Sequence, residues 1–195
     1  RLELAALELY LERGFEQTTV AQIAERAGLA ERTFFRHYAD KREVLFGGSP
    51  QLQERLVAAV ADAPLDATPI DAVAGSLDAI GAALQGRFEY ARRRYRVIRA
   101  NCELLERELI KLAALTAALA EALERRGTPH LAANLAAEAG IAAFKIGFER
   151  WIGAAEEQDL ALLIRDSLDE LRAVTAGQSR SAERVGQKVP SAAER

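Results

Sequence analysis

The chain has 195 residues, which is enough for one small domain followed by a larger one, and half of them are hydrophobic. Its formal net charge of −3 argues against indiscriminate nucleic-acid binding; its single cysteine, Cys102, excludes an internal disulfide and is expected to be buried. Charges interrupt each apolar stretch before it is long enough to cross a membrane, and no stretch alternates polar and apolar residues. The sequence therefore predicts an all-α, cytoplasmic protein with no membrane segment, metal site or cofactor.

The first 28 residues show the spacing of two short helices. An apolar stripe over residues 2–10 predicts a first helix that is closed by Gly14. Thr19 and Gln22 match a Thr-x-x-Gln capping box, in which each side chain satisfies a backbone N–H of the other residue. This box predicts a second helix, and Gly28 is expected to end it by adopting the left-handed conformation.

Residues 31–38 are expected to form a third helix that crosses the second at a steep angle, as in a helix-turn-helix. Phe34 is its natural core anchor, which leaves the neighbouring side chains on or near the outer face. Residues 32–42 hold four Lys or Arg side chains and one acid, so positive charge is concentrated where a DNA groove would lie. Asp40 is expected to cap a further helix, with Glu43 completing a second capping box.

These motifs resemble the N-terminal domain of the tetracycline-repressor family of bacterial regulators. The matching positions are Ala5-Ala6, Leu9-Tyr10, Gly14-Phe15, Thr18-Thr19-Val20, Ile23-Ala24, Ala27-Gly28, Thr33-Phe34, His37-Tyr38, Lys41 and Leu45. The resemblance implies a dimeric, all-helical repressor with a helix-turn-helix in an N-terminal three-helix bundle, residues 1–46. It also implies a C-terminal helical domain, residues 47–175, that binds a small effector and dimerises.

The resemblance further implies which residues bind double-stranded DNA. Phosphate contacts are expected from Thr19, Arg36, His37 and Lys41. Base-edge contacts are expected from Arg32, as a fork on guanine, and from Thr33, partly through its methyl group. The predicted set is completed by Gln22, Glu31 and Phe35. Two roles stay open for Glu31, which either accepts from a cytosine amine or favours the positive end of the helix. Phe35 stands where Tyr is common, and Ala30 where a capping Ser is common, in the family.

A break interrupts the helical pattern at residues 47–50, Gly-Gly-Ser-Pro. Ser49 can cap, and Pro50 can begin, a new helix that runs to about Ala61. Two interpretations are open for this break. It is either a loop between two helices or a hinge through which effector binding reorients the DNA-binding heads.

Residues 87–99 carry six arginines and one acid. The run is either a solvated helix face or a cationic mouth for an anionic effector, because guanidinium groups bind phosphates and carboxylates in bidentate fashion. Aromatic residues and leucines on two later helices likewise form either core or a large apolar cavity. The predicted ligand-binding residues are Arg93, Arg96, Leu105, Leu109, Phe144, Phe148 and Trp151.

This combination suggests an effector with an apolar tail and an anionic head, such as a fatty acyl thioester of coenzyme A. The stretches Arg-Thr-Phe-Phe-Arg-His-Tyr, residues 32–38, and Val-Leu-Phe-Gly, residues 44–47, are also similar to an actinobacterial branch of the family. That branch includes the mycofactocin-system regulators, for which acyl-coenzyme A ligands would fit.

Two stripes near the end of the chain are either ordinary core or a dimer contact made of two helices from each subunit. The first lies on a helix predicted over residues 131–152 and the second on one predicted over 159–174. The predicted interface residues are Ala136, Ala139, Gly140, Ala143, Gly147, Leu160, Ile164, Leu168 and Leu171.

The two ends of the chain carry separate expectations. The sequence begins at Arg1 and contains no methionine, so we expect its natural start, and with it a candidate basic arm, to be missing. Residues 176–195 are rich in Ser, Arg, Gln and Gly and are expected to form a flexible tail.

Three function classes compete for this sequence. A DNA-binding transcriptional regulator that recognises a palindromic operator as a homodimer explains the capping, turn and basic residues of 18–42 together. A helical enzyme is poorly supported, because His37 and His130 lie in different domains and neither has neighbours that suggest a nucleophile or a metal site. No catalytic residue is therefore predicted. A helical adaptor that binds only protein is the alternative, and it would make the pattern of 18–42 a coincidence.

Overall fold

A computed structural model of the chain describes residues 1–177. Most of the predicted tail lies outside the described residues. The described part contains nine α-helices and one 3₁₀ helix and no strand, which confirms the predicted all-α class. These elements are α1 (Leu2–Arg13), α2 (Val20–Arg26), α3 (Glu31–His37), the 3₁₀ helix (Glu43–Phe46), α4 (Ser49–Ala61), α5 (Pro69–Leu84), α6 (Phe88–Arg99), α7 (Cys102–Arg125), α8 (His130–Gly153) and α9 (Leu160–Thr175).

The local signals of the helix-turn-helix have the expected geometry. Thr19 Oγ1 accepts a hydrogen bond from the Gln22 amide at 3.3 Å, and Gln22 Oε1 accepts one from the Thr19 amide at 2.9 Å, which completes the capping box. Gly28 follows α2 with φ of +69°, a conformation that a side chain would strain. Phe34 is fully buried on α3. The chain therefore reverses between α2 and α3 as the sequence predicts.

The core of the DNA-binding end extends beyond the predicted boundary at residue 46. Buried side chains of α1, α2 and α3 pack with Val97 and Ile98 at the end of α6 and with Leu104 at the start of α7. The end of α6 therefore contributes to the core that supports the helix-turn-helix. A change in α6 can reach the DNA-binding helices through direct contacts.

The second core is built around α8, which packs against α5, α7 and α9. Gly140 lies so close to Val73 of α5 that a Cβ atom would overlap its side chain. A Cβ at Gly147 would lie 2.8 Å from the Cα of Ile164 on α9. The small residues of α8 therefore permit close helix packing within one chain.

This packing corrects the predicted dimer-interface residues. Seven of the nine are buried inside the subunit, and the remaining two are half-buried. The buried ones are Ala136, Gly140, Ala143, Gly147, Leu160, Ile164 and Leu168, and the half-buried ones are Ala139 and Leu171. Small and apolar residues at helical spacing serve either kind of contact, and the sequence alone does not distinguish them.

Three local expectations differ from the structure. Cys102 is exposed at the first position of α7 instead of buried. Asp40 Oδ1 accepts hydrogen bonds from the amides of Arg42 and Glu43, at 2.7 and 3.3 Å, but Glu43 does not complete a capping box. Its carboxylate pairs instead with cations of α7, and the expected helix is a short 3₁₀ turn. Ser49 starts α4 without a side-chain cap hydrogen bond.

One described helix, α8, is long and apolar enough to cross a membrane by length and composition, contrary to the sequence expectation. Trp151, Ala133 and Ala137 on this helix are fully buried against other parts of the chain. The core helix of a helical domain passes the same test, so this match is weak evidence for a membrane span.

Candidate DNA-reading surface and effector cavity

The outer face of α3 presents a set of polar and aromatic side chains. Arg32, Arg36 and His37 are exposed, and Phe35 has 54% of its surface exposed. Thr33 is half-buried beside them. Because Phe34 is held in the core, the rotation of α3 is defined and these side chains face away from the bundle. Glu31 is also exposed, in the first turn of α3.

Polar side chains at the end of α3 and at the start of α2 keep hydrogen-bonding groups free for a partner. Arg36 Nη2 lies 3.5 Å from His37 Nε2, so the last turn of α3 brings two nitrogen-bearing groups together. At the start of α2 the capping box uses Thr19 Oγ1 as an acceptor, which leaves the hydroxyl proton free to donate. The Gln22 amide NH₂ is likewise outside the box. These groups are available to an anionic partner such as a DNA phosphate.

Lys41 differs from the role that the resemblance implies. Its ammonium donates to three backbone carbonyls, those of Phe15 at 2.9 Å, Glu16 at 3.3 Å and Thr18 at 3.1 Å. An ammonium group has three donors, so the loop between α1 and α2 occupies all of them. The structure thus gives Lys41 a structural role in holding this loop, and the predicted phosphate contact has no free donor.

Gly47, at the predicted break, is tightly packed. A Cβ at this position would lie 2.7 Å from both the Tyr38 hydroxyl and Glu3 Oε1. The Tyr38 hydroxyl donates to Glu3 Oε1 at 3.4 Å, and burial together with the charge of Glu3 raises the pKa of Tyr38 to about 12. The hydroxyl therefore stays protonated at neutral pH and links the end of α3 to α1.

A cavity of about 520 Å³ lies between α4, α6, α7 and α8. Leu105 and Leu109 of α7 line it together with Phe144 and Phe148 of α8, so four of the seven predicted ligand-binding residues lie together. Its volume falls within the range of about 300–1,000 Å³ that is usual for small-molecule sites. This cavity is the candidate effector site.

The other three predicted ligand-binding residues do not line the cavity. Trp151 is fully buried, and its indole N–H donates to the Gln158 carbonyl at 3.0 Å. Arg93 and Arg96 lie on a different face of α6 from the cavity-lining side chains, because a helix turns about 100° per residue. The arginine run of residues 87–99 therefore does border the cavity, but through Arg87, Arg94 and Arg99 and not through the predicted Arg93 and Arg96.

The cations that line the cavity come from four helices and from the residue before α6. They are Arg55 of α4, Arg87 directly before α6, Arg94 and Arg99 of α6, Lys111 of α7 and Lys145 of α8. The acids that line it are Glu3, Glu108 and Glu149. The surplus of positive charge favours a ligand with an anionic group.

Sequence reasoning missed Arg94, although a helical pattern indicates it, since Ala91, Arg94 and Ile98 recur on one face of α6. No local pattern indicates Arg55 or Lys145, because tertiary packing brings their helices to the cavity.

Beside the cavity, ion pairs join residues 42 and 43, at the end of the DNA-binding domain, to α7. Glu43 of the 3₁₀ helix pairs with Arg107 and with Lys111 of α7, the latter at 3.5 Å. Arg42 lies 3.8 Å from Glu103 at the start of α7. Across residues 1–177, no group of three or more His, Cys, Asp and Glu side chains is placed to hold a metal ion.

Comparison with known proteins agrees with this architecture. Residues 4–46 match the family described as "Bacterial regulatory proteins, tetR family", and residues 67–176 match the "MftR C-terminal domain". The chain belongs to the TetR family of bacterial regulators. It has the N-terminal helix-turn-helix of these regulators and a helical C-terminal domain of the MftR type. The family and its relatives are regulators, which confirms the prediction that the protein is not an enzyme.

Two curated relatives match part of this TetR-family chain. The HTH-type transcriptional regulator TcmR of Streptomyces glaucescens is 43% identical over 75 residues, which are 38% of this chain and 33% of TcmR. The putative mycofactocin biosynthesis transcriptional regulator MftR of Mycobacterium tuberculosis is 45% identical over 42 residues, 22% of this chain and 21% of MftR. The matches span about a third of TcmR and about a fifth of MftR.

Solved structures match the chain over most of its length. The fatty acid degradation regulator FadR of Bacillus halodurans has a TM-score of 0.63 and 19% identity, with 87% of this chain and 95% of FadR covered. FadR of Bacillus subtilis in complex with stearoyl-CoA has a TM-score of 0.60 and 22% identity, with the same coverage. At these identities the similarity establishes the shared fold.

Proposed function

We propose that this TetR-family regulator is a cytoplasmic repressor that binds a palindromic operator as a homodimer. We further propose that an anionic effector with an apolar tail, of the acyl-coenzyme A class, releases it. One observation carries the effector proposal. The cavity combines a leucine and phenylalanine lining with six cations and only three acids.

The proposed operator contact follows from the exposed face of α3. Arg32 is assigned to a guanine edge, Thr33 to a base edge, and Arg36 and His37 to phosphates. Thr19 and Gln22 at the start of α2 are assigned to the flanking backbone, where their free donors support a phosphate contact. In a dimer the two α3 helices enter successive major grooves, so the half-sites lie about one helical turn, roughly 34 Å, apart.

The proposed dimer uses the outer faces of α8 and α9. Leu131, Leu135 and Ile146 of α8 recur at helical spacing and are 72%, 62% and 53% exposed, and Leu162 at the start of α9 is 53% exposed. A row of exposed leucines and isoleucines on one helix is typical of an interaction surface. Two helices from each subunit would bury this row in a four-helix contact.

The acyl-coenzyme A assignment combines an apolar and an anionic requirement. The side chains of Leu105, Leu109, Phe144 and Phe148 suit a fatty acyl chain. Four lining cations have no ion pair within residues 1–177 and suit the phosphates of coenzyme A, namely Arg55, Arg87, Arg99 and Lys145. The bound stearoyl-CoA of the Bacillus subtilis FadR, which has a similar fold, supports this class.

The test begins with selection of duplexes from a random library by the purified protein. The expected result is a near-palindrome whose affinity falls as salt rises. Adding stearoyl-CoA should then release the duplex from the protein and raise the melting temperature of the protein. Coenzyme A alone should do neither.

Failure to select any palindrome would contradict the operator proposal and favour the protein-interaction adaptor. Release by neither stearoyl-CoA nor a shorter acyl-CoA would contradict the effector class while leaving DNA binding intact.

A further inference from the structure

Arg94 of α6 joins three parts of the molecule at one point. Its Nε donates to the Leu45 carbonyl at 2.8 Å. Its Nη2 and Nη1 donate to the Glu108 carboxylate on α7, at 2.9 and 3.3 Å, and its guanidinium lies 4.9 Å from the centroid of the Phe46 ring. The Arg94 and Glu108 side chains are only 18% and 25% exposed. Each of the three guanidinium nitrogens therefore donates one hydrogen bond to a neighbouring residue.

Leu45 belongs to the 3₁₀ helix Glu43–Phe46, the first element after the DNA-reading helix α3. The last carbonyls of a short helix have no partner inside that helix and need one from elsewhere. Arg94 supplies this partner for Leu45 from a helix of the second domain. The hydrogen bond is thus a tie between the end of the DNA-binding domain and α6.

The same tie is part of the effector cavity. Arg94, Leu45, Phe46 and Glu108 all line the cavity whose other walls carry the apolar side chains. A ligand group beside Arg94 meets a guanidinium that already donates to the Glu108 carboxylate and to the Leu45 carbonyl. A ligand carboxylate or phosphate can form the same bidentate contact that Glu108 forms, so the exchange replaces one charge-assisted pair with another.

We propose that Arg94 is an anion-binding residue of the effector cavity and that the anionic group of the effector draws it away from Glu108 and Leu45. The inference rests on the proposed effector site and adds how its occupancy reaches the DNA-binding helices. Movement of the guanidinium removes the donor from the Leu45 carbonyl and its stacking partner from Phe46. The 3₁₀ helix then loses this hydrogen bond to α6 and is held there by apolar packing alone, which weakens the support of α3.

The effect has a bounded size. A ligand shifts a conformational equilibrium only by its difference in affinity for the two states. Couplings of this kind usually change an affinity by about 5- to 150-fold. A single hydrogen bond to a charged group lies in the same range, about tenfold to a hundredfold. Loss of the Arg94 tie is therefore expected to change operator affinity by a factor within this range.

The first experiment needs neither DNA nor ligand. Arg94→Met keeps an unbranched apolar side chain over Phe46 but removes all the donors, and Arg93→Met changes the neighbouring arginine outside the cavity. Hydrogen exchange of residues 43–48 should be faster in Arg94→Met than in the parent or in Arg93→Met. Arg94→Lys, which restores a single cationic donor group without the planar guanidinium, should recover part of the protection. Equal hydrogen-exchange rates of residues 43–48 in all four proteins would contradict the proposal that Arg94 holds the 3₁₀ helix.

The second experiment measures function in the same proteins. Without ligand, Arg94→Met should bind the selected operator about tenfold or more weakly, while its melting temperature shows that it is folded. Stearoyl-CoA should weaken operator binding by the parent and by Arg93→Met, but change the affinity of Arg94→Met little. A full stearoyl-CoA response in folded Arg94→Met overturns the role of Arg94 as the anion-binding switch.

A third variant tests the competition. Glu108→Gln removes the negative charge that the effector must displace, so stearoyl-CoA should bind about fivefold or more tightly. Unchanged affinity of Glu108→Gln for stearoyl-CoA would contradict the proposed replacement of Glu108 by the ligand anion. A parent protein that binds its operator but does not respond to stearoyl-CoA would contradict the acyl-coenzyme A part of the proposed function. The hydrogen-exchange rates of residues 43–48 would still test whether Arg94 holds the 3₁₀ helix.

Discussion

The Lys41 ammonium donates a 2.9 Å hydrogen bond to the Phe15 carbonyl and lies 4.4 Å from the centroid of the Phe15 ring. This contact fastens the loop before α2 to the segment after α3. Replacing Lys41 with Met should lower the free energy of unfolding by about 1.5–3 kcal/mol, since several carbonyls lose a charged donor. Chemical denaturation followed by circular dichroism measures this loss.

The same variant separates a structural role from a phosphate contact. If Lys41 only positions α2, operator affinity should fall while the slope of log affinity against log salt stays as in the parent. A phosphate contact, as the family resemblance implies, would reduce that slope by about one unit for each phosphate that Lys41 neutralises. A reduced slope with unchanged stability would return Lys41 to the DNA-binding set.

Arg32 and Arg36 lie on the exposed face of α3 and are expected to act differently on DNA. Arg32→Ala should cost about 1–3 kcal/mol per half-site and relax the preference at one base pair. Arg36→Ala should weaken binding to all duplexes alike, since a phosphate contact carries no sequence information. Site selection from random duplexes with both variants checks this, and identical sequence logos for Arg32→Ala and the parent would refute the assignment.

Leu135 and Leu65 offer a matched test of the dimer surface. Both are largely exposed, at 62% and 100%, but only Leu135 belongs to the apolar row on α8. Leu135→Glu should weaken the dimer, whereas Leu65→Glu should not, and neither should unfold the subunit. Light scattering at micromolar concentration measures the mass of each protein, and a monomeric parent would contradict the proposed dimer.

A substitution at Gly147 should lower the stability of the subunit, whereas Leu135→Glu should weaken the dimer. Because a Cβ would lie 2.8 Å from the Cα of Ile164, Gly147→Val should destabilise the subunit itself by about 1–3 kcal/mol. Thermal unfolding at several protein concentrations distinguishes the two sites. A loss of dimer without a loss of subunit stability would place Gly147 at the interface, as the sequence pattern allows.

The cavity cations can be tested with two double variants within residues 87–99. Arg87→Glu with Arg99→Glu reverses two lining charges, and it should abolish thermal stabilisation by stearoyl-CoA. Arg93→Glu with Arg96→Glu makes the same charge change outside the cavity and should preserve it. Titration of both by thermal shift checks this, and loss of stabilisation in the second variant alone would support the sequence-based assignment.

Most of the helices and the helix-turn-helix can be predicted from the amino-acid sequence alone, because their signals are local. The capping box of Thr19 and Gln22, the turn at Gly28 and the buried position of Phe34 each depend on residues within a few positions along the chain. Four of the cavity-lining side chains were also predicted, since leucine and phenylalanine at helical spacing must face either a core or a cavity. Composition and period were sufficient for these features.

Which partner each helix face meets depends on contacts between distant parts of the chain, and these cannot be predicted from local patterns. Arg93 and Arg94 are neighbours in sequence, yet Arg94 lines the cavity and holds Leu45 while Arg93 lies outside it. Gly147 looks suited to a second subunit and packs instead on Ile164 of its own chain. These outcomes depend on how distant helices are rotated against one another. Helical periodicity defines the faces of a helix, but packing between residues far apart in the chain selects what covers each face.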